Sequence, residues 1–333
     1  MQGTDLLAAR LVLVTGKGGV GKSTVAGALA VAGARSGRRT CLIEVEGRQA
    51  LADLLGTAPW EFGERELLPG LFGLSIDADS SLAEYLHHFY GAQRLSRLVV
   101  GSSAVNFATA AAPGVRDVLL LGKVKEVERR GVDRGHPAYD LVIVDAPPTG
   151  RIVNFLRAPE ATTELVGVGP VRSQAQSIVD LLLDGSRTRL QLVAAYEELS
   201  VTETVESATA LAELGLALNP VVVNRVLEPC FDTGARKALS SGLSVQQLRA
   251  VLVGAGIKAT AAAASELREL GHQHLQRVAL QQQLRERLES GLRAEVPTAA
   301  VLDVRELPAV SSETFGLTEI QRLADEILEP AGT

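Results

Sequence analysis

Apolar residues fall along this chain in two rhythms. Short unbroken runs at residues 11–14, 40–45, 71–76 and 140–144 read as strands buried on both faces, as in a parallel sheet. Apolar runs at 165–168, 190–194, 221–223 and 299–304 extend that sheet. Between them lie stretches of helical character at 25–34, 50–55, 115–127, 173–183, 201–214 and 317–328. Residues 80–130 are mostly helical, with Ser81 and Glu84 spaced as a capping box and a break at Pro113-Gly114. Residues 228–295 are rich in Ala, Gln, Leu, Arg and Glu and carry no clear strand signal. Strand alternating with helix predicts one α/β domain over 1–333. Its sheet is mostly parallel and flanked by helices, with a helical subdomain from about 80–130 and 228–295.

The first strand runs into Gly16, Lys17, Gly18, Gly19, Val20, Gly21, Lys22, Ser23 and Thr24, and a helix follows. This is G-x-x-x-x-G-K-[ST] in the strand–loop–helix setting that gives the motif its meaning. Glycines let the backbone wrap closely round a polyphosphate, and the loop N–H groups with the helix N-terminus form a concave anion site. Lys22 is expected to reach the β- and γ-phosphates of ATP or ADP, Ser23 to put its hydroxyl on Mg²⁺, and Thr24 to meet the α-phosphate. The strand at 140–144 ends in Asp145, followed by Ala146, Pro147, Pro148, Thr149 and Gly150. A carboxylate at the carboxyl end of a buried strand faces the crevice where α/β folds bind ligands. Asp145 is therefore the second expected Mg²⁺ residue, through water, and Gly150 a hinge able to approach the γ-phosphate.

The loop GKGGVGKST, with its second lysine at Lys17, resembles the deviant Walker A of the MinD/ParA/ArsA/nitrogenase-iron-protein group of P-loop NTPases. Asp145, Ala146, Pro148, Thr149 and Gly150 are similar to the D-x-A-P-T-G loop of its ArsA/Get-type ATPases, closest to the actinobacterial "anion-transporting ATPase" members. The resemblance implies a P-loop ATPase in which Lys17 crosses a dimer interface to the partner's nucleotide. It places Glu46 where the family has a water-orienting aspartate and Gly47 where it has a proline, a real departure. Glu46 either orients the attacking water, the favoured reading, or caps the helix at Ala50. Asn224 and Arg225 resemble the adenine-reading asparagine segment, although an asparagine ending a strand looks the same. Leu307 and Pro308, after the last strand, take the place of the second adenine loop.

Composition narrows the function. Only 4% of residues are aromatic, so Ala, Val and Leu must build the core. A net charge of −6 gives no reason to expect nucleic acid or an anionic membrane as partner. The 2 cysteines, Cys41 and Cys230, lie far apart, which fits a reducing cytoplasm and excludes the family's C-x-x-C zinc site. The N-terminal segment reads as no signal peptide. With 1 Met, the chain lacks the adaptable surface by which tail-anchored targeting relatives hold a membrane helix, so bundle core is favoured over client groove for the helical parts. His87-His88 and His272 with His274 sit at spacings that point apart on a helix and read as surface.

The expected function is a dimeric ATP-hydrolysing switch acting on a client or membrane partner. The dimer is of two identical chains or of this chain with a paralogue able to supply an aspartate in place of Glu46. Two other readings stand beside it: a nucleotide-gated scaffold with little turnover, and a ParA/MinD-type positioning ATPase. The net acidic segment at 317–330 argues against the latter.

Overall fold

The computed structural model describes residues 6–47, 49–90, 114–132, 135–165, 168–296 and 303–329. Its centre is an eight-stranded sheet of order β3-β4-β2-β5-β1-β6-β7-β8. The strands are β1 (Leu11–Gly16), β2 (Thr40–Val45), β3 (Arg65–Leu68), β4 (Leu71–Ile76), β5 (Leu141–Asp145), β6 (Thr188–Ala194), β7 (Val221–Val226) and β8 (Val304–Pro308). Only β3 pairs antiparallel, through a tight turn onto β4. Every other neighbouring pair is parallel.

Both faces of the sheet are covered, which is why β1 is apolar throughout. Leu11 and Leu13 enter one core layer, and Val12 and Val14 the other. The second layer belongs to α1 (Lys22–Arg35), α2 (Ala50–Leu54) and α11 (Leu317–Leu328). Small residues bring α1 close to the sheet: a Cβ on Gly33 would stand 2.5 Å from Leu141 Cδ2. Ile320, Leu323, Ala324 and Ile327 of α11 are buried in the same layer, so its apolar stripe is used inside the fold.

The opposite layer is built from α4 (Val115–Arg129), α5 (Thr149–Leu165), α6 (Pro170–Leu183) and α7 (Glu198–Glu213). The remaining helices are α3 (Ala78–Tyr90), α8 (Thr233–Ser240), α9 (Val245–Gly254) and the 35-residue α10 (Ala261–Glu295). Leu284, Leu288 and Leu292 dock the C-terminal half of α10 into this layer, beside Val205 of α7.

Four expectations change. Of the run 165–168, Leu165 ends α5 and Val168 lies in a bend, at 86% and 89% exposure, while residues 166 and 167 lie outside the described residues. The expected run at 190–194 is β6, which starts at Thr188 and pairs with β1. Within the described residues the last strand runs from Val304 to Pro308, while residues 299–302 lie outside them, as does Pro113. Leu307 and Pro308 therefore lie within β8 and not after it. Ser81 and Glu84 form no capping box. Asp77 precedes α3 and accepts the Ser80 N–H at 2.7 Å, the Ser81 hydroxyl donates to the Asp77 carbonyl, and Glu84 pairs with Lys123 at 2.8 Å.

Candidate nucleotide site

Parallel strands place their carboxyl ends along one edge, and the expected residues gather there. Gly16 ends β1, Glu46 follows β2, Asp145 ends β5 and Asn224 lies in β7. In register, Val14 stands beside Asp145, which stands beside Glu44.

The loop after β1 has a shape its glycines impose. A Cβ on Gly16 would lie 2.1 Å from the Val193 carbonyl oxygen, so β6 can run this close only to a glycine. Gly21 has φ +90° and precedes α1, whose first turn takes no side-chain cap. Its N-terminal amides are thus left for an anion. A Cβ on Gly18 or Gly19 would meet no atom within 4 Å, so the protein itself does not fill the space beside the loop.

Lys22 is buried, and its ammonium donates to the Lys17 carbonyl at 3.4 Å across the loop. Ser23 Oγ donates to Asp145 Oδ2 at 2.6 Å. A hydroxyl and a carboxylate converging from α1 and β5 are a donor set suited to a hard divalent cation. Thr15 Oγ1 donates to the Pro147 carbonyl at 2.7 Å, which ties the loop after β5 to the end of β1. Thr149 at the start of α5 donates to Glu203 Oε2 of α7 at 3.0 Å, and the exposed Gly150 follows it.

Asn224 is 4% exposed. Its amide donates to the Val20 carbonyl at 3.0 Å and lies where a Gly21 Cβ would be. Its visible role here is to hold the glycine loop against β7. Arg225 has φ +62° and pairs with Glu197 at 3.2 Å on the surface. Leu307 is fully buried in the α1-side core. Pro308 stands at the end of β8, opposite Val226.

Glu46 does not cap α2. That task falls to Glu44, 1% exposed, whose two carboxylate oxygens accept the N–H groups of Gln49 at 2.7 Å and Leu51 at 3.2 Å. Glu46 itself adopts φ +69°, and its carboxylate accepts from Arg151 Nη1 at 2.5 Å. Arg151 Nη2 donates to Asp117 of α4 at 2.9 Å. Burial works against the Arg151 charge, but the hydrogen bonds to Glu46 and Asp117 outweigh it and hold its pKa above the ordinary value. Neither Glu44 nor Arg151 was among the expected site residues. The one legible sign of Glu44 is a charge inside the otherwise apolar run TCLIEV.

A parallel sheet whose central strand delivers a glycine loop to a helix N-terminus, beside a carboxylate from the neighbouring strand, defines a P-loop nucleotide-binding ATPase fold. The chain belongs to the anion-transporting ATPase family, whose profile matches residues 9–173 and 168–247. It is 39% identical over 299 residues to ATPase BagA of Mycobacterium tuberculosis, covering 87% of this chain and 88% of the relative. A protein of Prosthecochloris vibrioformis with the provisional name of arsenical pump-driving ATPase is 24% identical over 268 residues, 68% of this chain and 63% of its own. One of Halobacterium salinarum with the same provisional name is 29% identical over 231 residues, 65% of this chain and 34% of its own. The chain is accordingly an ATPase of this family and binds nucleotide. Among the described residues, no helix is long and apolar enough to cross a membrane.

Proposed function

We propose that this chain is a Mg²⁺-dependent ATP hydrolase that works as a nucleotide-driven switch between two subunits. The Ser23–Asp145 contact of 2.6 Å carries the reading, because it brings together, under the glycine loop, the two side chains expected to hold the metal. Gly16 to Thr24 bind the phosphates, and Lys22 lies against the loop ready to follow the β- and γ-phosphates. Bound there, Mg²⁺ supplies charge neutralisation on the phosphate oxygens. In hydrolysis a water oxygen bonds to the γ-phosphorus while the bridging P–O bond breaks. Its electron pair stays on the β-phosphate of ADP, and the water proton leaves with phosphate or solvent. Asn224 and Arg225 border the adenine side.

Calorimetry with ATP, with and without Mg²⁺, tests this directly. Asp145→Asn and Ser23→Ala are expected to lower phosphate release by about 10²-fold or more. Undiminished Mg-dependent turnover in both variants would overturn the metal assignment. The second subunit is an identical chain or a paralogue, and the switch serves a client or membrane partner. A scaffold with little turnover is a second reading, favoured by Glu46 itself, one methylene longer than the aspartate expected at that position and held at φ +69°. Slow phosphate release that Glu46→Ala leaves unchanged would select it. The positioning-ATPase reading gains no support, since the apolar stripe of α11 is buried against α1.

A further inference from the structure

We infer that Arg151 is a positioning residue for hydrolysis: its guanidinium fixes the Glu46 carboxylate that orients the attacking water, and Asp117 fixes the guanidinium. The inference rests on the nucleotide reading above and on Glu46 as the water-orienting group.

Three elements meet at this side chain. Glu46 lies in the loop after β2, Arg151 in the first turn of α5 beside Gly150, and Asp117 in the first turn of α4. The Glu46 backbone is already held. Its N–H donates to the Ile76 carbonyl at 2.8 Å, and its left-handed φ is followed by Gly47 at +61° and Gln49 at +59°. Gln49 in turn is pinned twice. Its N–H donates to Glu44, and its side chain exchanges two hydrogen bonds with the Trp60 backbone, at 2.9 and 2.7 Å. The longer glutamate side chain is met by Arg151, through Nη1 at 2.5 Å. The planar fork has a second arm on Asp117 at 2.9 Å, so the guanidinium is fixed at both ends.

A carboxylate with three rotatable bonds is a poor water-orienting group unless something locks it, because small misplacements of a reacting partner are costly in rate. The fork supplies that lock from the helix that begins with Gly150. The water's position thereby depends on α5 and α4 as well as on its own loop. The chemistry is unchanged: water oxygen to γ-phosphorus, the bridging bond's electron pair to ADP, and the water proton leaving with phosphate or solvent.

The test measures phosphate release and Mg-ATP affinity for the wild type, Arg151→Gln, Arg151→Lys, Glu46→Gln and the double variant Arg151→Gln with Glu46→Gln. Arg151→Gln is expected to lower kcat by about tenfold or more, with Mg-ATP affinity changed less than about threefold. Arg151→Lys, able to pair with Glu46 as a point charge, recovers part of that loss. The double variant is no slower than Glu46→Gln alone, since both changes remove one function. Asp117→Asn, which leaves Glu46 and Arg151 in place, gives a smaller fall in kcat of the same kind. Unchanged kcat in Arg151→Gln, losses that multiply in the double variant, or a loss of affinity at constant kcat each overturns the inference. Normal Mg-ATP binding with full turnover in Glu46→Gln also removes it while leaving the nucleotide reading intact. Absent Mg-ATP binding in the wild type overturns that reading itself.

Discussion

At the scale of single residues, the glycines of the loop do different work, and substitution separates it. Gly16 is structural: its Cβ would sit 2.1 Å from a backbone oxygen of β6. Gly16→Ala should cost on the order of 2–4 kcal/mol in urea unfolding, because a sheet neighbour must move. Gly18 meets nothing, so Gly18→Ala should leave the urea midpoint within about 0.5 kcal/mol of the wild type and still weaken ATP binding, where the added methyl crowds the phosphates. Equal effects of both on stability would refute this division. That Lys22, Ser23 and Asp145 lie together was legible because the motif prescribes residue type, spacing and setting together. Glu44 and Arg151 were not, because a glutamate in a strand or an arginine on a helix acquires its role only from what another element brings beside it. The place of Leu307 in the chain shifted for a related reason. Its expected role depended on where the last strand ends, and that strand proved to include it.

Among the elements, the contact of α4 with α6 stores a pH dependence. Lys125 of α4 is buried and donates to Gln174 at 2.8 Å and to the Ser177 hydroxyl. Burial first, and then the Arg129 charge, push its pKa below the ordinary 10.5, with Asp180 opposing them. Between that lowered value and 10.5 the native state binds fewer protons than the unfolded chain, so stability rises with pH through this window. At neutral pH the charge is a cost. Lys125→Met should therefore stabilise the protein at pH 7 by about 1 kcal/mol and flatten the rise on the alkaline side, read by thermal melts from pH 7 to 10. A lower melting temperature at pH 7 would show that the hydrogen bonds outweigh the burial. The order of strands and helices was readable from the alternating pattern. The errors came where pattern is ambiguous: Leu165, an apolar residue that ends a helix, and β3, whose half-polar RELL pairs with β4 alone and packs Leu67 and Leu68 on the α1-side core.

For the molecule as a whole, the parallel sheet sends every nucleotide-side group to one edge, and that edge faces solvent at Gly18 and Gly19. Lys22 is turned inward and buried, whereas Lys17, on the same loop, is only partly buried. Two lysines on one phosphate loop with different surroundings suit different tasks, one serving its own nucleotide and the other reaching outward. The proposed dimeric switch then has a specific consequence. With Mg²⁺ and a non-hydrolysable ATP analogue, the protein should sediment as a dimer, and with ADP largely as a monomer. Lys17→Ala should retain the affinity of one chain for ATP but lose most of the nucleotide-dependent association, with turnover reduced about 10²-fold or more, since a charge supplied across an interface acts on the transition state. If the wild type hydrolyses ATP at an unchanged specific rate across a hundredfold dilution while remaining a monomer, Lys17 serves no partner. If association appears only when a paralogous chain is added, the second subunit is that paralogue, and its own residue at the position of Glu46 becomes the one to substitute next.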